Sequence, residues 1–150
     1  MAISGDTLFA GGSFDKLGGV TSNHFVACSL VDTGYVFNWL APMNPAGAAV
    51  VVYSIAVAGN TVYTSGNFTT AGGTPALYMA AINRTSGFSN AAWHPDPNMA
   101  PVYSMNLKGD TLFAGGNFSG VRGLVRNRLA RFNAITGEVD PYWNPNVAGP

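Results

Sequence analysis

The sequence predicts an all-β fold made of three consecutive repeats. Three segments align with one another: GDTLFAGGSF begins at Gly5, GNTVYTSGNF at Gly59 and GDTLFAGGNF at Gly109. The 19 glycines and 9 prolines recur along the whole chain, as expected for short strands joined by turns. No segment has an apolar period of 3.6 residues over about ten residues or more, so no helix is predicted.

Each repeat is predicted to contain four antiparallel strands. In the second repeat, residues 52–58 alternate in polarity and end at Gly59-Asn60, a pair typical of a two-residue hairpin turn. Residues 61–65 return as the second strand, since they are rich in β-branched and aromatic side chains. A glycine-rich loop leads to a third strand around 77–82, and a Ser-Gly turn leads to a fourth strand that ends near Trp93.

Four antiparallel strands in about 50 residues, repeated, are typical of a β-propeller. The predicted blades are about residues 1–49, 50–100 and 101–150. Because a single such sheet cannot bury both of its faces, successive blades must stack on each other. The tryptophans near the end of each repeat are interpreted as plugs between neighbouring blades: Trp39, Trp93 and Trp143.

The run GGNFSGVRGLVRNRLARFNAITGEVDPYWNP, from Gly115 to Pro145, resembles the delta-60 repeat of bacterial β-propellers. The resemblance implies a secreted or cell-surface protein, and a secretion signal would lie outside this chain. A weaker similarity, Thr136-Gly137 followed by Trp143, relates the repeats to the tryptophan-docking repeats of quinoprotein propellers. The positions that match the delta-60 pattern are Arg128, Leu129, Ala130, Arg131, Asp140, Trp143, Asn144 and Pro145.

Three blades do not close a ring, because propellers have about four to eight. The first repeat also lacks counterparts of residues 52–54 and 102–104. We therefore expect one of two arrangements. Either the three blades neighbour further blades of a longer chain, or two chains associate head to tail into a six-bladed ring.

One face of the predicted blades is the candidate binding surface. If the first strand of each blade is innermost, the second-to-third and fourth-to-first loops share this face. Loops on a rigid scaffold commonly carry recognition, so this face is predicted to bind a protein or glycan partner. The candidate residues are Asp15, Lys16, Thr74, His94, Asp96, Arg122 and Arg126.

The composition argues against several other functions. Only 9% of the residues are charged and seven basic side chains balance seven acidic ones, so no field attracts nucleic acid. No apolar stretch approaches the roughly 20 residues that span a bilayer, so membrane insertion is not expected. His24 and His94 lack the spacing of metal ligands, and Cys28 lies in an apolar run that predicts a small buried side chain. No catalytic residue, cofactor or metal is predicted.

The sequence therefore favours a non-enzymatic propeller module of a secreted or cell-surface protein, acting as a structural or recognition scaffold. The alternative is a part of a propeller enzyme, of the quinoprotein dehydrogenase or lyase type, with its catalytic residues in other blades. The predicted inner strands favour the first interpretation. They carry Ser54, Ala56, Ser104 and Asn106, where an enzyme would place convergent acids, bases or histidines.

Overall fold

The computed structural model describes residues 1–32, 36–45, 50–98 and 100–147, which form antiparallel strands and no helix. The all-β prediction is confirmed. The strands of the first repeat are β1 (Ala2–Ser4), β2 (Thr7–Gly11), β3 (Lys16–Leu17), β4 (Val20–Thr21), β5 (Phe25–Ser29), β6 (Val36–Leu40) and β7 (Met43–Pro45). Those of the second are β8 (Val52–Ala58), β9 (Thr61–Gly66), β10 (Phe68–Ala71), β11 (Thr74–Pro75) and β12 (Met79–Asn83). Those of the third are β13 (Val102–Lys108), β14 (Thr111–Gly116), β15 (Gly120–Val121), β16 (Leu124–Val125) and β17 (Leu129–Asn133).

Each repeat contributes one main sheet, with the strand orders β1-β2-β5-β6, β8-β9-β12 and β13-β14-β17. The first two strands of each sheet form a tight hairpin, and Ala58 faces Thr61 across the turn of the second one. The turn begins with a glycine at positive φ, +53° at Gly59 and +55° at Gly109, a conformation that strains other residues. The hairpin predicted from Gly59-Asn60 is therefore confirmed.

The prediction of four strands in every repeat is correct for the first sheet only, where β6 pairs with β5. In the described parts of the second and third repeats, residues 50–98 and 100–147, the fourth strand is reduced to a single bridge in each. The reason is that side chains take the backbone donors that a strand would use. The Asn90 Oδ1 accepts from the Ala92 N–H at 3.0 Å, and the Asp140 Oδ1 accepts from the Tyr142 N–H at 2.8 Å. The two bridges join Ile82 with Ser89 and Phe132 with Val139.

The three main sheets stack face to face, with the second sheet between the first and the third. Strand β9 is buried at five of its six residues, because both of its faces are covered. Val62 packs in one cluster with Phe9 and Phe25 of the first sheet, whereas its neighbour Tyr63 packs in another with Leu112 of the third. The hydrophobic core thus lies between the sheets.

The tryptophans of the first two repeats each pack against the next sheet. The Trp39 indole N–H donates to the Asn83 carbonyl at 3.4 Å, and that of Trp93 donates to the Ala134 carbonyl at 2.8 Å. Both side chains are nearly buried. Trp39 and Trp93 therefore lie between neighbouring sheets, which is where plugs between neighbouring blades are expected.

The segment after each of these tryptophans crosses to the next repeat. Strand β7 pairs antiparallel with β10, and Pro97 forms a bridge with Val121 in the third repeat. The Asn98 Oδ1 also accepts from the backbone N–H groups of Ser119 and Gly120, both at 3.0 Å. Backbone pairing therefore joins the repeats in addition to side-chain packing.

Candidate functional site

Two exposed tyrosines lie at the end of the sheets where β8 and β13 begin. The register of the β8 hairpin shifts there, since Val52 faces Gly66 while Ser54 faces the residue just before it. Tyr53 is therefore the extra residue of a β-bulge, and Tyr103 has the same position in β13. A bulge re-aims a side chain, and these two are 42% and 50% exposed.

Each bulge faces a glycine that no other residue could replace without a backbone shift. A Cβ on Gly66 would lie 2.2 Å from the Val51 carbonyl oxygen, and one on Gly116 would lie 2.4 Å from the Pro101 carbonyl oxygen. The strands close tightly here because the Asn67 N–H donates to the Val51 carbonyl at 2.9 Å. The glycines thus permit the geometry that exposes the tyrosines.

The two tyrosine rings contact each other edge to face, with 5.4 Å between their centroids and 69° between their planes. Beneath them, the Ser54 Oγ accepts from the Met105 N–H at 3.0 Å and joins β8 to β13. This bond fixes the spacing of the two strands and so of the two rings. Ser104, next to Tyr103 in β13, is exposed as well and adds a hydroxyl to this surface.

Four of the predicted loop residues lie at this same end of the sheets. The His94 Nδ1 is 3.0 Å from the Asp96 Oδ2, and the pair lines a groove of about 340 Å³ with residues 75–77. Thr74 precedes these residues in the chain, and the Arg122 N–H donates to the Asp96 carbonyl at 3.4 Å. The structure therefore brings His94, Asp96 and Arg122 together across the second and third repeats, and Thr74 adjoins the groove in the chain.

Asp15 and Lys16 are exposed in the corresponding loop of the first repeat. The Asp15 carboxylate lies 3.5 Å from the His24 Nε2 of its own repeat. No hydrogen bond or ion pair within the described part of the chain connects Asp15 or Lys16 with His94 or Asp96. These two residues belong to a separate part of the loop surface.

Arg126 does not belong to the exposed loop face on which the sequence placed it. Its side chain is 4% exposed, and its guanidinium donates to the carbonyls of Val125, Asp140 and Pro141 at 2.7, 2.8 and 2.9 Å. The last two carbonyls lie where the third sheet has no fourth strand, and the arginine satisfies them. Arg126 is therefore a structural residue that ties this loop to the end of the third repeat.

The potentially reactive side chains take part in packing or in ion pairs. Among the described residues, no group of three or more His, Cys, Asp or Glu side chains could hold a metal ion. Cys28 is buried in β5, as predicted, and burial raises the pKa of its thiol, which disfavours the nucleophilic thiolate. The Arg131 guanidinium, with the backbone N–H groups of Tyr142 and Trp143, holds the pKa of Asp140 below its usual value.

Tyr53 and Tyr103 were not among the residues that the sequence singled out for binding. A signal exists, because Val-Tyr-Ser occurs at the same place in the second and third repeats. Strand alternation alone places each tyrosine on the sheet face opposite its valine. The bulge that turns the side chain outward depends on the tertiary close approach at Gly66 and Gly116 and is not visible as a pattern.

Comparison of the chain with family models, with curated proteins and with solved structures gave no match. In the part of the chain that the structure describes, no helix has the length and apolar character needed to cross a membrane.

Proposed function

We propose that the chain is a non-enzymatic module of a β-propeller that recognises a neutral glycan. The binding site would be the tyrosine surface, which we define as Tyr53, Tyr103 and Ser104. The observation that carries this proposal is the repeated bulge, which exposes an aromatic ring at the same place in two successive sheets.

The stacking of the sheets supports the propeller arrangement. In a propeller, blades pack face to face around a central axis and their innermost strands lie side by side. Here the middle sheet is covered on both faces, and Ser54 of β8 bonds to Met105 of β13. The end of each of the first two repeats also pairs with the following repeat. These features make a rigid support for the loops.

The chemistry of the tyrosine surface supports a glycan. An exposed tyrosine offers an apolar ring face and a polar hydroxyl edge, and a sugar ring likewise has an apolar C–H face and a polar rim. Binding sites generally combine such apolar surface with a few polar groups that fix orientation, here the Ser104 hydroxyl and the Tyr hydroxyls. The formal net charge of the chain is zero, which suits an uncharged ligand.

The proposal includes a location outside the cell. The support for it is the resemblance to repeats of secreted and cell-surface proteins, together with the glycan chemistry of the tyrosine surface. Glycans of this kind are displayed on cell surfaces and in the extracellular matrix, where such a module would meet them.

A glycan array tests the proposal with three forms of the protein: wild type, the double variant Tyr53→Ala/Tyr103→Ala, and Tyr142→Ala. Tyr142 is a matched control because it is also an exposed tyrosine, at 94%, and it lies outside the tyrosine surface. We expect wild type and Tyr142→Ala to bind the same subset of neutral glycans. The double variant should bind at least about tenfold more weakly, which corresponds to about 1.4 kcal/mol.

Two results would contradict the glycan assignment. One is a wild-type protein that binds no neutral glycan, even if it is later found to bind another protein. The other is a Tyr142→Ala variant that loses as much binding as the double variant. Far-UV circular dichroism of all three forms establishes that they are equally folded.

A further inference from the structure

Neighbouring sheets within the chain are joined by two sets of side chains, one on each facing sheet. Each outer face of the stack carries the counterpart of one of these two sets. At the inner contacts, Phe68 and Phe118 are fully buried under the preceding repeat. Phe14 occupies the same position in the first repeat and is only half-buried. Leu17 is likewise half-buried, although its counterparts Ala71 and Val121 are fully buried. The outer face of the first sheet therefore carries apolar side chains that are less covered than their counterparts at the inner contacts.

The outer face of the third sheet carries the complementary half. Trp143 contacts Phe113 edge to face, with 5.5 Å between centroids and 73° between planes. Trp39 and Phe9, which do pack against a following sheet, have nearly the same geometry at 5.4 Å and 71°. The third tryptophan is thus already in the docking conformation. Among the described residues, however, its indole N–H has no hydrogen-bond acceptor.

Val147 is more exposed than its counterparts in the first two repeats. It stands four residues after Trp143, as Met43 does after Trp39 and Pro97 after Trp93. Met43 and Pro97 are buried where the chain crosses to the next repeat, whereas Val147 is 38% exposed. Trp143 and Val147 are therefore the more exposed counterparts of two residues that anchor each inner contact.

We infer that Trp143 and Val147 dock on the outer face of the first sheet of a second copy of this chain. By analogy with the acceptors of Trp39 and Trp93, the Trp143 N–H would donate to the carbonyl of Ser29 or Leu30 of that copy, and Val147 would lie against Leu17. Two such contacts join two chains head to tail into a ring of six main sheets, within the range of about four to eight blades.

The charges on the third face are compatible with this contact. Arg131 donates to the Asp140 carboxylate and lies over the Trp143 ring, with 5.7 Å to its centroid. These two charged groups neutralise each other, so the pair next to Trp143 can be covered without leaving an unpaired charge there. This inference rests on the proposed propeller arrangement, but it does not depend on the glycan.

Light scattering after size exclusion tests the contact with wild type, Trp143→Ala, Val147→Asp and Tyr142→Ala. We expect wild type to have twice the mass of one chain, and the first two variants to dissociate with a Kd at least about thirtyfold higher. Tyr142→Ala is the control, because its counterpart Ala92 is exposed at the inner contact. A monomeric wild type, or a species larger than two chains, would overturn the inference.

Disulfide trapping tests the head-to-tail direction. Residues that face each other across antiparallel strands are about 4.5–5.5 Å apart at Cα, within the disulfide range of about 4.4–6.8 Å. A mixture of Leu17→Cys and Val147→Cys chains, both with Cys28→Ala, should therefore form a mixed disulfide. Bonds only between identical variants, or no bond at all, would overturn it.

The two proposals fail separately. If wild type is a folded monomer and its glycan binding is lost in Tyr53→Ala/Tyr103→Ala, only the ring of two chains is wrong. If the ring forms but the glycan array is blank, only the glycan is wrong.

Discussion

Two substitutions of Trp93, one to alanine and one to phenylalanine, should separate the contribution of ring packing from that of the hydrogen bond between the second and third sheets. Trp93 is 2% exposed, and its ring contacts Tyr63 with 5.5 Å between centroids. Trp93→Ala leaves a cavity between the sheets, and large-to-small changes of this kind cost about 3–5 kcal/mol of unfolding free energy. That is a large fraction of the roughly 5–15 kcal/mol that stabilises a typical domain.

The substitution Trp93→Phe isolates the hydrogen bond, since it keeps an aromatic ring but removes the N–H. The Ala134 carbonyl, which accepts from Trp93 at 2.8 Å, also accepts from the Tyr63 hydroxyl at 3.0 Å. It therefore keeps one partner, and the expected loss from the hydrogen bond is about 1 kcal/mol. Trp39→Phe is the matched control. Its bond to Asn83 is longer, at 3.4 Å, so its loss should cost less.

Urea unfolding followed by far-UV circular dichroism measures these differences without relying on tryptophan fluorescence. The expected order of destabilisation is Trp93→Ala, then Trp93→Phe, then Trp39→Phe, with the same m value for all three. Equal costs for the two phenylalanine variants would mean that ring volume decides the effect and the hydrogen bond does not. A loss below about 1 kcal/mol for Trp93→Ala would refute the view that this tryptophan joins the sheets.

Two further predictions concern the bulge and the ion pair. Gly66→Ala places a Cβ against the Val51 carbonyl and should cost about 3 kcal/mol or more. Gly73→Ala is the control, because Gly73 has a positive φ but an added Cβ would meet open space; it should cost only about 1 kcal/mol. Thermal unfolding measures both variants. Equal losses of stability would contradict the close approach at Gly66. For Asp140, whose pKa is lowered mainly by Arg131, the ionised form stabilises the fold above the ordinary carboxyl pKa. This contribution is lost as pH falls through the lowered pKa. Wild type and Asp140→Asn should therefore differ in free energy of unfolding at pH 7 and converge in acid. A difference that does not change with pH would argue against the ion pair.

The repeat and its hairpins could be predicted because their causes are local. The tight turn after β8 needs a residue at positive φ, and Gly59 supplies it in the sequence itself. The burial of β9 follows from alternation, since Val62 and Tyr63 point to opposite faces and both are large and apolar. These signals recur with the repeat, so each copy supports the others.

The fourth strands could not be predicted because a competing interaction decides them. Residues after the Ser-Gly and Thr-Gly turns look suited to a strand, but Asn90 and Asp140 capture the backbone N–H groups two residues ahead. Whether such a side chain bonds its own backbone or faces solvent depends on the local turn. The sequence alone is therefore compatible with either a strand or a side-chain-capped turn at this position.

The prediction that Arg126 lies on the exposed loop face was wrong for a related reason. An arginine in a loop normally reaches solvent, and its counterparts Ser22 and Ala76 are small side chains that give no warning of burial. Its guanidinium satisfies the carbonyls of Asp140 and Pro141, which lie where the third sheet has no fourth strand among residues 100–147. The burial of Arg126 therefore goes together with a part of the fold that the sequence did not predict.

The residues that join the second repeat to the third and Tyr103 of the proposed binding surface belong to one stretch of chain. Asn98 fastens the end of the second repeat to the third, and three residues later the Pro101 carbonyl accepts from the Asn117 N–H at 3.0 Å. Tyr103 follows directly, on the bulge that this close approach creates. The spacing between Tyr53 and Tyr103 is therefore set by the same contacts that stack the sheets. A ligand that spans both rings would bind the stacked state alone, so it should stabilise the joint as well as occupy the surface.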